Sequence, residues 1–105
     1  MKSVWTVLLT KAERAVRVAQ QKLADAQQKK NLALERSEKL DNMLTEYSNQ
    51  LRDVQLRSHH TREVGNYQQF IFQLQAMTVR SKQEMNFLAE VCVKARKIML
   101  TREHE

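Results

Sequence analysis

The chain has 105 residues, one glycine, no proline and a formal charge of +6 from 18 basic and 12 acidic residues. This length allows at most one small domain, and the near absence of turn-forming residues excludes a multi-stranded β fold or an α/β enzyme with glycine-rich turns. The apolar fraction, 42%, is too high for a disordered charged tail. The abundance of Ala, Leu, Gln, Lys, Glu and Arg instead predicts long helices.

Basic residues outnumber acidic ones in both halves of the sequence, by 11 to 7 in residues 1–57 and by 7 to 5 in residues 58–105. This surplus predicts an anionic partner, which can be an acidic protein surface, nucleic acid or lipid head groups. Cys92 is the single cysteine and therefore forms no internal disulfide. No segment resembles a signal peptide or a membrane span, so we expect a cytoplasmic protein.

A heptad repeat predicts that the first helix spans about residues 4–58. Counting from Trp5 in alternate steps of four and three residues gives 15 positions, and 13 of them are apolar. Seven heptads without a helix breaker indicate a helix that packs along this stripe. We call it the α1 stripe: Trp5, Leu9, Ala12, Val16, Ala19, Leu23, Ala26, Lys30, Ala33, Ser37, Leu40, Leu44, Tyr47, Leu51 and Val54.

The heptad pattern fails after Val54, which predicts a turn over about residues 59–66. Gly65 can adopt the positive φ that ends a helix, and Asn66 with Gln69 three residues later fits a capping box. Ser81 and Glu84 fit the same motif inside a periodic stretch, where no helix start is expected.

The second helix is predicted over about residues 67–103, and its apolar surface is wider than one partner helix can cover. We call its heptad positions the α2 stripe: Tyr67, Ile71, Leu74, Thr78, Ser81, Met85, Leu88, Cys92, Ala95 and Met99. Further apolar residues flank this stripe at heptad spacing (Phe70, Met77, Val91 and Ile98) or lie well away from it (Phe72, Val79, Val93 and Leu100).

These elements predict an all-α fold, an antiparallel two-helix coiled-coil hairpin that forms a single domain over residues 1–105. At 1.5 Å per residue, the first helix is ~80 Å long and the second only ~60 Å. Glu105 then lies roughly opposite residues 18–22, and the stripe from Trp5 to Val16 has no partner in the same chain. We expect that this end packs on another molecule, or that the native chain continues beyond Glu105.

No combination of residues predicts catalysis, a cofactor or a metal site. His59 and His60 are adjacent, so on a helix their side chains would diverge by about 100°. Cys92 lies on the α2 stripe with no activating neighbour, which favours a buried apolar role. Without a phosphate-binding glycine loop or paired carboxylates, we expect a non-enzymatic protein.

Two groups of residues are candidates for binding. Basic residues lie near both ends of the sequence, which an antiparallel hairpin brings to one open end: Lys11, Arg14, Arg17, Lys22, Lys94, Arg96, Lys97 and Arg102. Such residues are commonly only solvated, but their clustering also fits an acidic docking partner. Aromatic residues that would stack on bases are missing there, so no nucleic acid is expected.

Near the turn, Tyr47, Tyr67 and Phe70 either close the stripe or belong to a docking face formed by Phe70, Phe72, Leu74 and Met77.

The residues around the turn resemble the FliJ family, small coiled-coil proteins of the flagellar type III export apparatus. Residues 66–71 (NYQQFI) with Leu74 resemble the family signature at the start of the second helix, and residues 44–51 (LTEYSNQL) resemble its motif before the turn. The resemblance covers roughly residues 40–78 through specific residues, and elsewhere only through heptad character.

The resemblance implies a hairpin similar in shape to the γ subunit of rotary ATP synthases. It implies binding to the hexameric export ATPase, to the cytoplasmic region of the export gate and to export chaperones, with peripheral association at the inner face of the cell membrane. Leu44, Tyr47, Phe70 and Leu74 match the gate-contact region, and the basic end (Lys11, Arg14, Arg17, Lys94, Arg96 and Lys97) would face the ATPase. The family usually continues beyond the position of Glu105.

Three alternatives remain open from the sequence. The chain can be the equivalent stalk of an injectisome, since those proteins share this shape. It can be a basic hairpin that binds nucleic acid or an anionic membrane. It can also be a self-assembling coiled coil, in which the unpartnered start of the α1 stripe meets the extra apolar line of the second helix.

Overall fold

The computed structural model describes residues 3–57 and 61–104. They form two α-helices, α1 (Val4–Arg57) and α2 (Thr61–His104), of 54 and 44 residues. The helices pack against each other as an antiparallel hairpin, so the predicted all-α fold class is confirmed. Neither helix, over the residues that the structure describes, has a stretch long and apolar enough to cross a membrane.

Ser3 caps the start of α1. Its Oγ accepts a hydrogen bond from the backbone N–H of Thr6 at 3.2 Å, and its carbonyl accepts one from the N–H of Val7 at 3.2 Å. A serine at this position supplies an acceptor to one of the amide groups that the first turn leaves without a helical partner. From here α1 continues to Arg57 without a glycine or a proline.

The predicted turn over residues 59–66 is wrong for its second part, because α2 begins at Thr61. Gly65 and Asn66 therefore lie inside a helix, and Gly65 has no positive φ. A glycine inside a helix lowers its stability by only about 1 kcal/mol relative to alanine. Burial of part of the adjacent Val64 and continuation of the helix outweigh this cost. Residues 58–60, where the rest of the predicted turn and the end of the first helix fall, lie outside the described residues.

Both stripes form the hydrophobic contact between the helices, as the heptad spacing predicts. The α1 stripe is buried or half-buried from Val16 to Val54 except at the exposed Lys30, and every residue of the α2 stripe is buried or half-buried. Cys92, only 6% exposed, takes the apolar role expected for it. Ser81 lies within α2, so its capping-box match starts no helix.

The packed residues form two compact units. The terminal unit comprises residues 1–32 and 86–105, and the central unit comprises residues 33–85. The buried apolar core of the terminal unit has two alanines, a leucine and Cys92, whereas that of the central unit has two leucines, a valine and an alanine. Among the described residues, the buried apolar ones are Ala19, Leu23, Ala26 and Cys92 in the terminal unit, and Ala33, Leu40, Val54 and Leu74 in the central unit.

The beginning of the α1 stripe has no packing partner among the described residues. In the terminal unit, Gln20 Nε2 donates a hydrogen bond to Glu103 Oε1 at 3.5 Å, near the last described residue of α2. Trp5 and Leu9, which precede this point, are 80% and 60% exposed. The expectation of an uncovered stripe from Trp5 to Val16 is thus met for Trp5, Leu9 and the exposed Ala12, but Val16 is half-buried.

Candidate binding surfaces

An aromatic cluster joins the two helices in the central unit. Tyr47 of α1 lies edge-on to Phe70 of α2, with ring centroids 4.7 Å apart and an interplanar angle of 65°. Its ring is also 6.3 Å from that of Tyr67, at a tilt of 49°. Both geometries fall in the range in which aromatic quadrupoles attract each other. The cluster forms because Tyr47 and Tyr67 occupy stripe positions and Phe70 lies one turn beyond Tyr67.

Polar contacts orient one edge of this cluster. The Tyr67 hydroxyl donates to Gln50 Oε1 at 3.2 Å, and Gln50 Nε2 donates to Glu46 Oε1 at 3.4 Å. A shallow cavity of about 310 Å³ opens beside the rings. Glu63, Asn66 and the three aromatic residues line it, so Asn66 contributes a polar side chain to a helical surface instead of capping a helix.

The four residues that match the gate-contact region differ in exposure. Leu44, Tyr47 and Phe70 are half-buried, whereas Leu74 is 1% exposed and lies in the core. The docking face suggested for Phe70, Phe72, Leu74 and Met77 is not a single surface: Phe72 and Met77 are exposed, while Leu74 is covered. A partner can therefore reach Tyr47 and Phe70 directly, and Leu74 can only support them by packing.

The positive charge of the chain is concentrated in the terminal unit. Its residues include 11 basic and 5 acidic side chains, whereas the central unit has 7 of each. The net charge of +6 therefore belongs to the terminal unit, although both halves of the linear sequence are basic. An ion pair in the central unit, between Arg36 Nη1 and Glu84 Oε2 at 3.1 Å, balances charge there locally.

The six basic residues assigned to the ATPase-facing end are all exposed, but they do not line a single groove. Lys11 and Arg14 line one groove with Lys22 and Arg102. Lys94 lines the adjoining groove. Arg96 and Lys97 lie beside two other cavities, and Arg17 lines none of the described ones.

Two grooves between the helices of the terminal unit were not predicted from the sequence. Their volumes are about 360 and 510 Å³, and they share Ala19, Lys22 and Ile98 as lining residues. The signal in the sequence was the apolar width of the second helix at Val91 and Ile98. The contribution of Phe87, and of alternating lysine and alanine from α1, needed the packed structure.

No group of His, Cys, Asp and Glu within residues 3–57 and 61–104 could hold a metal ion. His59 and His60 lie outside the described residues. The class of protein that the fold and these surfaces define is an all-α hairpin with an aromatic cluster in one unit and the excess positive charge in the other. Comparison with models of protein families, with curated proteins and with solved structures finds no match.

Proposed function

We propose that this chain is a non-enzymatic stalk and assembly protein of the flagellar type III export apparatus. In this role it promotes assembly of the hexameric export ATPase, couples the ATPase to the cytoplasmic region of the export gate, and binds export chaperones. It acts in the cytoplasm and associates peripherally with the inner face of the membrane through that apparatus.

The observation that carries this proposal is the packing of the residues on which the resemblance to the FliJ family rests. Tyr47, from the motif in α1, and Phe70, from the signature in α2, form one aromatic contact at 4.7 Å. Two residues 23 positions apart in sequence thus contribute to a single surface, as a shared binding function requires. Tyrosine is also among the residue types that are enriched where binding energy is concentrated at protein interfaces.

The mechanism is associative and involves no bond chemistry. Tyr47 and Phe70 would contact the gate, with Leu44 beside them and Leu74 supporting the cluster from the core. Lys11, Arg14, Arg17, Lys94, Arg96 and Lys97 would attract acidic surfaces of the ATPase, and charges of this kind mainly raise the association rate and orient the partners.

Binding to the ATPase and to the gate domain from the same bacterium tests the proposal directly. We expect the purified chain to retain both in pull-downs and to increase ATPase hexamer formation in light scattering. Charge reversal at the basic end (Lys11→Glu, Arg14→Glu and Arg17→Glu) should abolish the ATPase effect. The matched control reverses three exposed basic residues of the central unit: Lys39→Glu, Arg52→Glu and Lys82→Glu. If the folded chain binds neither partner, the proposal is rejected.

The gate contact is tested by variants at the aromatic cluster. Asn66→Arg changes an exposed residue that lines the cavity beside the rings, so it should weaken gate binding without unfolding the helices. Phe70→Ala removes the ring itself, and circular dichroism verifies that the variant remains helical. Phe72→Ala, at an exposed position, is the control that should bind the gate like the parent chain. The same experiment with injectisome partners decides which export system is served.

A second candidate function is binding to an anionic membrane. Val4, Trp5, Leu8 and Leu9 are more than half exposed, and Lys11 follows them on the same helix. Tryptophan and leucine beside basic residues are typical of helices that lie at a lipid surface. Co-sedimentation with phosphatidylserine vesicles, compared with phosphatidylcholine vesicles and with duplex DNA, tests this candidate; Trp5→Ser should release the chain from the vesicles if it is correct.

A further inference from the structure

The two grooves of the terminal unit form one continuous surface, because they share Ala19, Lys22 and Ile98. We call it the lysine-rimmed groove. Its lining residues extend from Lys11 to Lys29 on α1, a distance of about 27 Å at the helical rise. This length corresponds to about 18 residues of another helix, which is a common size for a helix that binds in a groove.

The floor of the groove is apolar where a two-stranded coiled coil is normally polar. Val91 and Ile98 occupy the g positions beside the α2 stripe, which in two-stranded coiled coils are often Glu or Lys, and Phe87 occupies an outer c position. Phe87 is 63% and Ile98 is 53% exposed. On the α1 side, the small Ala15 and Ala26 and the larger Val18 continue this apolar surface.

The lining residues follow the spacing that a third helix would contact. In α2, Phe87, Val91, Lys94 and Ile98 are separated by four, three and four residues, and all four line the groove. In α1, Lys11, Ala15, Val18 and Lys22 repeat the same spacing. Two neighbouring rows at this spacing fit a helix better than an extended peptide or a small ligand, because helical side chains recur at the same intervals.

The rim of the groove determines the charge of its occupant. Lys11, Arg14, Lys22, Lys29 and Lys94 line it, and none of these five forms an ion pair within the described part of the chain. The one acidic lining residue, Asp25, already accepts a hydrogen bond from Gln21 Nε2 at 2.9 Å. A second copy of this unit would bring its own positive rim against this one, so like charges disfavour self-association here.

We infer that the lysine-rimmed groove is a docking site for an acidic amphipathic helix of a partner protein. The apolar face of that helix packs on Phe87, Val91 and Ile98, and its flanking Glu or Asp side chains pair with the lysines on both sides. This inference goes beyond the proposed function, because it specifies the chemistry of the bound segment whichever export or other protein supplies it.

A fluorescein-labelled peptide of about 18 residues tests the inference with the full chain. The peptide has Leu and Ile at alternating three- and four-residue spacing and Glu on both flanks; two controls replace Glu by Lys or scramble the same composition. We expect saturable binding in fluorescence anisotropy for the Glu peptide, at least about tenfold tighter than for either control, and weaker binding as salt is raised. Equal binding of the scrambled or the Lys peptide overturns the inference.

Matched variants locate the binding. Phe87→Ser and the triple variant Lys22→Glu, Lys29→Glu, Lys94→Glu should each weaken binding by about tenfold or more. Phe72→Ser and the triple variant Lys39→Glu, Arg52→Glu, Lys82→Glu change similarly exposed residues of the central unit and should bind like the parent chain. Circular dichroism verifies that every variant is helical, and Lys94→Glu alone, a charge reversal at an exposed residue, provides a second measurement if Phe87→Ser unfolds.

Two further results would overturn the inference. One is equal loss of binding in the central-unit controls, which would show that the peptide does not use the groove. The other is a dimer in sedimentation equilibrium that Phe87→Ser dissociates and the peptide does not, which would assign the groove to a second copy. The peptide assay contains no export protein, so its failure is distinguishable from failure of the pull-downs that test the proposed function.

Discussion

The ring of Tyr47 meets the ring of Phe70 edge-on, with centroids 4.7 Å apart, and this contact links α1 to α2 within the central unit. Both residues are half-buried, so the same side chains contribute to the stability of the hairpin and remain accessible to a partner. A test of function at these positions must therefore separate lost binding from lost stability.

A double-mutant cycle measures the stabilising part of this contact. Tyr47→Ala and Phe70→Ala should each destabilise the chain in urea denaturation, and the double variant should lose less than the sum. We expect a coupling energy of about 0.5 to 1.5 kcal/mol, the range for edge-to-face aromatic pairs. Strict additivity of the two effects would show that the rings do not stabilise each other.

Truncation of Leu74 is predicted to destabilise the chain strongly, and truncation of Phe72 is predicted to have almost no effect. Leu74 is 1% exposed, so Leu74→Ala should lower the free energy of unfolding by about 2 to 5 kcal/mol through lost burial and a cavity. Phe72 is 72% exposed, so Phe72→Ala should change the free energy of unfolding by less than about 0.5 kcal/mol. Urea denaturation of both variants checks this, and a large effect at Phe72 would contradict the packing described for α2.

Gly65→Ala is predicted to stabilise the chain. Gly65 is helical without a positive φ, and a Cβ added there meets nothing within 4 Å. Alanine should therefore raise the free energy of unfolding by about 0.5 to 1 kcal/mol, because it favours the helix and restricts the unfolded chain. Thermal denaturation followed by circular dichroism measures the effect. A lower Tm would instead support the turn that the sequence predicts at this residue.

Ser81→Ala is also predicted to stabilise the hairpin. Among the buried side-chain polar atoms of the described residues, Ser81 Oγ lacks a hydrogen-bond partner. Removing this hydroxyl should raise the free energy of unfolding by about 1 kcal/mol, since no hydrogen bond is lost and a buried polar group disappears.

Thr78 provides the control for Ser81. Its Oγ1 donates to the Leu74 carbonyl at 2.9 Å, so its buried hydroxyl is satisfied. Thr78→Val should therefore gain less stability than Ser81→Ala in the same urea denaturation series. An equal gain in the two variants would indicate that hydrogen bonding of the hydroxyl is not the cause.

The heptad pattern was sufficient to predict the packed residues of both helices. The α1 stripe from Ala19 to Val54, apart from Lys30, and the whole α2 stripe are buried or half-buried, because 3.5-residue spacing keeps one side of a helix directed at its partner. The exposure of Trp5, Leu9 and Ala12 at the start of the α1 stripe also followed from the sequence, since it needs only the two helix lengths, whereas the half-burial of Val16 did not.

The start of α2 could not be predicted from local signals. Gly65 and Asn66 favour a turn by their intrinsic preferences, but those preferences amount to about 1 kcal/mol and helix continuation with packing at Val64 and Tyr67 outweighs them. For the candidate gate contact, the motif in the sequence identified the residues. Only the structure shows that Leu74 is buried while Tyr47 and Phe70 are accessible.

By itself, the sequence determined the helical class, the two stripes and the surplus of positive charge, because composition and periodicity are properties of the linear chain. The tertiary structure decided which charges share a unit and which side chains outside the stripes become neighbours. The tertiary structure places the whole net charge in the terminal unit. It also brings Phe87 and Ile98 into one groove with lysines of α1. Both arrangements depend on contacts between residues about 60 or more positions apart, which no local pattern encodes.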